Sequence, residues 1–255
     1  VTQVKPGDRV CFCNGGIGGD YGTYAEFSVV PEAQLVKMPA GVEITEAAAM
    51  PLVAITLIEA LQDRTGLKRG EYALIHAGAG GTGHIGIQIA RILGGRVATT
   101  VSSEAKSRLA AELGAERTIL YRKEDFAEAA RAWTGGRGLD VALDNVGAET
   151  LQKTFRAMAP YGRIATLMGT PGDDADTTAY NMNLTLHNVM MLTPMWLGLA
   201  ERLRRQAEHV AEAIGWLAQK RLRVVVDRVF PLNDAAEAHR YLESGKAVGK
   251  IVLAI

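Results

Sequence analysis

A charge imbalance is missing from this sequence of 255 residues: 28 lysines and arginines stand against 28 aspartates and glutamates. Proteins that grip a polyanion carry a basic excess, so a nucleic-acid partner is not favoured. Cysteine is almost absent too, with only Cys11 and Cys13. Two positions apart in a strand-like run, they point to one face and are poorly placed to bond to each other, so a reducing, cytoplasmic setting fits best. They cannot make a four-cysteine zinc site, and His76, His84, His187, His209 and His239 lack the paired spacing of a zinc motif. No apolar run reaches the roughly 18 residues of a membrane span. The nearest, "VMMLTPMWLGLA", is broken by Thr193 and Pro194. No signal-peptide pattern opens the chain, and neither does an initiator methionine. It begins at Val1 as though cut into a larger protein, which leaves a removed targeting segment open.

What is present, 48% hydrophobic and 22% charged residues, suits a soluble globular protein of one large or two moderate domains. From Glu71 to Gly169 short apolar runs alternate with amphipathic ones. "YALIHA", "RVATTV", "ERTIL", "DVALDNV" and "RIATLMG" read as strands, separated by helices over 84–93, 104–113, 124–133 and 149–158. That order predicts a doubly wound parallel α/β sheet. Residues 1–39 are rich in turn signals around β-like runs such as "RVCFC" and "YAEFSVV", an antiparallel composition. "RVVVDRVFPL" and "GKIVLAI" look like strands after a long helix over about 200–220. The flanks are read as one discontinuous β-rich domain, 1–50 with 196–255, around an α/β unit over 51–195.

"GAGGTG", Gly78 to Gly83, fits G-x-G-x-x-G between a strand and a helix. In a dinucleotide site Gly78 permits the turn, Gly80 lets backbone approach a pyrophosphate and Gly83 lets the helix pack on the strand. The amides near Gly81, Thr82 and Gly83 then face the diphosphate. A glycine-rich turn of an ordinary α/β protein, or a methyltransferase loop, is the alternative. An NAD-selective site places an acid about 20 residues further on, yet Thr99 to Ser103 contains none. Ser102, Ser103, Lys106 and Arg108 follow instead, a set suited to the 2′-phosphate of NADPH. Against this stands a solvated helix face for Lys106, with Glu104 as a contrary sign.

Taken together, "VKPGDRV", "GTYAEFSVVP", "AAAMPLVAITLIEAL", "HAGAGGTGHIGIQIA", "GRGLDVALDNVG" and "ESGKAVGKIVL" resemble the medium-chain dehydrogenase/reductase superfamily, in its zinc-independent, quinone oxidoreductase-like (zeta-crystallin-like) branch. The resemblance covers nearly the whole chain. It implies a GroES-like catalytic domain split around a Rossmann domain, with the cofactor in the cleft between them, and an N-terminal part that this sequence lacks. Zinc-dependent members carry a cysteine ligand where this chain has Leu52, so no metal is expected. The implied cofactor set is Thr56 near the nicotinamide, Gly81 and Thr82 in the phosphate loop, and Ser102, Lys106 and Tyr121 on the 2′-phosphate. It continues with Asn145 near the adenosine ribose, Met168 and Gly169 ending the fifth strand, and Gly249 and Lys250 closing on the cofactor. Met190, Met191 and Leu192 fall near the nicotinamide end. For Tyr121 a packed aromatic at a strand end remains the alternative. A homodimer is implied as well.

Hydride transfer without a metal leaves hydrogen bonds and cofactor hydroxyls to support the developing charge, which suits a quinone or an α,β-unsaturated carbonyl, where the charge delocalises, better than a saturated alcohol. No catalytic acid is assigned: Tyr21, Tyr24 and Cys13 lie in or near "CNGGIGGDYGTY", with core or surface roles open for each. The Tyr-x-x-x-Lys pair of short-chain reductases is missing, since Tyr241 precedes Lys246 by five positions and Tyr121 precedes Lys123 by two. Two other classes remain: a zinc-free relic of an alcohol dehydrogenase, and a non-catalytic NADPH-binding regulatory protein.

Overall fold

A computed structural model describes residues 1–14, 22–169 and 177–255. The chain divides into two compact units, Val1–Thr56 with Met190–Ile255, and Leu57–Val189. The first begins with β1 (Val10–Cys11) antiparallel to β2 (Val36–Lys37), then α1 (Ile44–Ala49) and α2 (Pro51–Ile58). The expected strand in "YAEFSVV" does not form: Phe27 and Val29 are exposed and no ladder partner lies beside them among the described residues. A strand without a neighbour leaves its amides and carbonyls to water, and its β propensity alone does not hold it. β1 stops at Cys11, so Cys13 lies beyond the strand expected to carry both cysteines; both thiols are free.

The second unit holds β3 (Tyr72–Ile75), α3 (Gly83–Ile92), β4 (Arg96–Val101), α4 (Glu104–Glu112), β5 (Arg117–Leu120), α5 (Phe126–Trp133), β6 (Leu139–Asp144), α6 (Ala148–Phe155), β7 (Met158–Thr166), α7 (Thr178–Asn181) and β8 (Thr185–Asn188). All six strands run parallel in the order β5-β4-β3-β6-β7-β8. This is the doubly wound sheet that the alternation predicts. Leu74, Ile75, Val97, Ala98, Ile119, Leu143 and Ile164 are buried, as strands covered by helices on both faces require.

Local chemistry sets the ends. α4 starts where the Ser103 hydroxyl accepts from the Lys106 amide, and α5 where the Asp125 carboxylate accepts from Ala127 and Glu128, each cap stabilising by about 1 kcal/mol. The Asp125 cap moves the start of α5 two residues past the expected 124. α3 and α4 end alike. The Gly94 amide reaches the Arg91 carbonyl and the Gly95 amide that of Ala90; Gly114 and Ala115 repeat the pattern on Ala111 and Ala110. Gly94 and Gly114 take the positive φ this closure needs. α6 ends at Phe155 rather than 158, because Met158 already pairs with Leu139 in a longer β7. The sixth strand, β8, was not expected: "TLHN" is short and polar, with no apolar alternation to mark it.

At the amino ends of the strands, Tyr72 meets Trp133 edge-on, ring centroids 4.8 Å apart. The guanidinium carbons of Arg96 and Arg137 lie 4.6 and 4.9 Å from the Tyr72 ring centre. Arg137 grips Asp140 with both nitrogens, and Asp140 also accepts from the Tyr72 amide.

The chain returns to the first unit with α8 (Thr193–Trp196), the long α9 (Ala200–Ala218), β9 (Val226–Pro231), α10 (Ala235–Glu243) and β10 (Lys250–Ala254). β9 starts later than "RVVVDRVFPL" suggests, and β9 and β10 pair in parallel, with α10 between them in sequence. None of the described helices is long and apolar enough to cross a membrane.

Candidate functional site

In the second unit, β4 lies on one side of β3 and β6 on the other, so the chain reverses its winding between β3 and β6. Ligands of open parallel sheets bind outside the carboxyl ends of the strands at such a reversal. The loops leaving β3 and β6 sit at this point, and each is held by a buried polar side chain.

The loop after β3 runs from His76 to Thr82. A Cβ at Gly78 would stand 2.1 Å from Thr99 Oγ1, and one at Gly83 would stand 2.1 Å from the Ala77 carbonyl oxygen. Contact with β4, rather than a positive φ, is what requires glycine at position 78. At Gly80 the nearest atom to an added Cβ is the Ala77 oxygen at 3.2 Å, so the fold presses less on that position. Gly83→Ala is therefore expected to cost about 3 kcal/mol in urea unfolding, and Gly80→Ala well under half of that. Equal costs would contradict the contrast.

His76 anchors the loop. The Thr154 hydroxyl donates to the Thr150 carbonyl (2.7 Å), so it accepts from His76 Nε2 (2.9 Å). Burial keeps the imidazole neutral, so with its proton on Nε2 the Nδ1 atom accepts from the Thr100 hydroxyl (3.1 Å), whose oxygen also accepts from the Ala77 amide (3.0 Å). Burial pushes its pKa down to about 4, opposed in part by Asp144. The amide of Ala77, which has φ of 49°, is thereby tied to β4. His84 donates from Nδ1 to the Gly80 carbonyl (2.8 Å). Thr82, the cap of α3, makes no side-chain cap hydrogen bond, in contrast to Ser103 and Asp125. The positive end of α3 thus carries no carboxylate or hydroxyl cap of its own.

At the end of β6, Asp144 is fully buried. Its Oδ1 accepts from the amides of Val146 (3.2 Å) and Gly147 (3.0 Å), and its Oδ2 from the Thr166 hydroxyl (2.9 Å). One carboxylate thereby fixes the turns after β6 and β7. Beside it, Asn145 Oδ1 is buried without a hydrogen-bond partner among the described residues. Met168 is exposed, and Gly169 has φ of 90°.

At the ends of β4 and β5 lie Ser102, Lys106 and Tyr121. Lys106 is half-buried and has no acidic partner among the described residues, while Tyr121 is exposed with the Arg122 guanidinium carbon 6.0 Å from its ring centre. Glu104, the contrary sign, points its charge elsewhere: Lys123 Nζ lies 2.7 Å from Glu104 Oε1. Ser103, grouped with Ser102 on sequence grounds, uses its oxygen as the α4 cap.

The remaining expected residues belong to the first unit. Thr56 is buried and donates to the Leu52 carbonyl (2.8 Å). Met190 is exposed, Met191 buried and Leu192 half-buried, and Gln206 Nε2 holds the Met191 carbonyl at 2.6 Å. A Cβ at Gly249 would stand 2.2 Å from the Val225 oxygen. Burial pushes the Lys250 ammonium down and the Cys13 thiol up, each opposed by the other. Tyr24 is exposed, its hydroxyl 3.0 Å from His239 Nε2, and Tyr21 lies outside the described residues. Among the described residues no three His, Cys, Asp or Glu side chains gather to hold a metal.

Sequence reasoning missed two positioning residues. Asp144 could have been flagged as an acid inside an apolar strand; His76 carried no spacing signal.

Known proteins resemble this chain along its length. The zinc-binding dehydrogenase family matches residues 113–253. A 2-haloacrylate reductase of a Burkholderia species is 34% identical over 259 residues, covering 99% of this chain and 75% of the relative. A quinone oxidoreductase of Pseudomonas aeruginosa is 33% identical, with 99% and 76% covered. A mycobacterial protein solved in complex with NADPH superposes with a TM-score of 0.84 at 31% identity, covering all of this chain and 76% of that one.

Proposed function

Because this chain belongs to the medium-chain dehydrogenase/reductase superfamily, in its quinone oxidoreductase-like branch, we propose that it is an oxidoreductase passing hydride from NADPH to a quinone or an α,β-unsaturated carbonyl without zinc. The observation that carries the choice of NADPH is the end of β4. Thr99 to Ser103 holds no acid for the ribose, Lys106 has no acidic partner among the described residues, and Glu104 is occupied by Lys123. The buried Asn145 Oδ1, without a partner among the described residues, and the start of α3, where Thr82 makes no side-chain cap hydrogen bond, support a dinucleotide there. When bound, NADPH supplies the hydride.

The chain's own part is to bind and orient. In this reading Gly78, Gly80, Gly81, Thr82 and Gly83 bring backbone amides to the diphosphate. Ser102, Lys106 and Tyr121 take the 2′-phosphate, and Asn145 accepts from a ribose hydroxyl. Met168, Gly169, Leu192, Thr56, Gly249 and Lys250 complete the cofactor contacts. The burial of Lys250 suits it to give up solvent for an anion or an oxygen. The reading includes a Rossmann domain over 51–195, a GroES-like part over 1–50 and 196–255, a homodimer and a cytoplasmic setting.

Calorimetric titration tests it. NADPH is expected to bind at least about tenfold more tightly than NADH, a difference of about 1.4 kcal/mol. Lys106→Ala is expected to remove most of that preference. A panel of ortho-quinones and enones with NADPH then tests the chemistry. Tighter NADH binding would retire the 2′-phosphate site in favour of an alcohol dehydrogenase-like protein. Tight NADPH binding without turnover would favour a regulatory one.

A further inference from the structure

We infer that Lys123 is a positioning residue for cofactor selectivity: by holding the Glu104 carboxylate in an ion pair, it keeps that charge from opposing a 2′-phosphate at the first turn of α4. The inference deepens the NADPH reading and rests on it.

Glu104 is the first residue of α4, directly after the Ser103 cap and two positions before Lys106. A carboxylate in the first turn of a helix is drawn to the same amides and dipole that attract phosphate, so Glu104 is a built-in competitor for the site proposed for the cofactor. It is also a like charge beside a doubly ionised ligand, which repels at short range in water. Lys123 comes from a different turn, the one after β5, and its Nζ sits 2.7 Å from Glu104 Oε1. This hydrogen bond is the main cause that holds the Glu104 carboxyl below the usual range, with a smaller pull from Arg108. The carboxylate is therefore charged but partnered. The two other cations beside Lys123 are engaged elsewhere, since Arg117 is committed to Glu124 at 2.6 Å and Arg122 rests over the Tyr121 ring.

Both partners are largely exposed, and exposed pairs of this kind add little to stability. Removing one should leave the fold intact, so a change in nucleotide binding can be read without an unfolding artefact. The arrangement also reconciles an acidic residue with a site proposed for an anion.

The test is a cycle of four proteins, the wild type, Lys123→Met, Glu104→Gln and the double variant, each titrated with NADPH and with NADH at low and high salt. Lys123→Met is expected to weaken NADPH roughly fivefold at low salt and leave NADH within about twofold, the difference shrinking as salt rises. Glu104→Gln should bind NADPH as well as wild type or better, and the double variant should recover what Lys123→Met lost. An unchanged NADPH-to-NADH ratio in Lys123→Met overturns the inference, and so does an equal loss of both nucleotides. A double variant as weak as Lys123→Met would overturn it too, by making Lys123 a direct phosphate ligand. A wild type with no preference for NADPH overturns the function proposed above along with it; a selective wild type with unmoved variants overturns this inference alone.

Discussion

Asp144→Ala is expected to destabilise the α/β unit by about 4 kcal/mol and to weaken NADPH binding more than tenfold. The carboxylate is fully buried and accepts from the Val146 amide, the Gly147 amide and the Thr166 hydroxyl. Truncation leaves the Val146 and Gly147 amides without their acceptor, turns the Thr166 hydroxyl over to the Gly169 carbonyl at 3.2 Å alone, and opens a void beside them. The turn that bears Asn145 then loses its side-chain anchor and keeps only backbone bonds such as that from the Leu167 amide to the Asp144 carbonyl, so the binding loss should exceed what lost stability alone explains. Asp144→Asn keeps one acceptor oxygen and places an amide against a donor, so an intermediate cost is expected. Urea unfolding paired with NADPH titration reads both quantities. A loss under about 1 kcal/mol with unchanged binding would remove Asp144 from the role assigned to it.

The second large effect is acid sensitivity through His76. In the unfolded chain this imidazole takes up its proton near pH 6.5, whereas in the folded chain burial delays uptake until about pH 4. Between those values the unfolded state binds more protons, so acid favours unfolding. The contribution is complete above pH 6.5 and is lost as pH falls toward 4, a swing on the order of 3 kcal/mol. His76→Gln should be less stable than wild type at pH 7.5, since it breaks the relay from Thr154 to Thr100. It should also lose less on acidification. His187 is pushed down by burial and by Arg64 and Arg163, and adds to the slope in both proteins. The informative quantity is therefore the difference between the two pH profiles; parallel profiles would show that His76 does not carry the effect.

The parallel sheet and the glycine loop were legible because both are written locally. A buried strand is an apolar run, and the handover from β3 to α3 needs small residues in consecutive order. What escaped was long-range. His76 depends on Thr100 and Thr154, 24 and 78 positions away, and nothing in "ALIHA" announces either. Glu104 counts against an anion site when the sequence is read locally, because its partner Lys123 is 19 positions further on. The turn after β6 shows a third case. "DVALDNV" reads as one strand, but the side chain of Asp144 folds back onto the next amides and ends it. β8 escaped for the opposite reason: its polar residues carry no pattern of their own, and hydrogen bonding to β7 makes it a strand.

The edge-on contact of Tyr72 with Trp133 gives the molecule an internal optical reporter. Of the three tryptophans, Trp133 alone lies in the α/β unit, while Trp196 and Trp216 belong to the other. An indole held 4.8 Å from a phenol ring, with a guanidinium carbon 5.7 Å from its own ring centre, sits in an asymmetric and partly quenching environment. With Trp196 and Trp216 replaced by phenylalanine, the remaining emission would follow the melting of the sheet by itself. The melting of the α/β unit could then be read without a contribution from the tryptophans of the other unit.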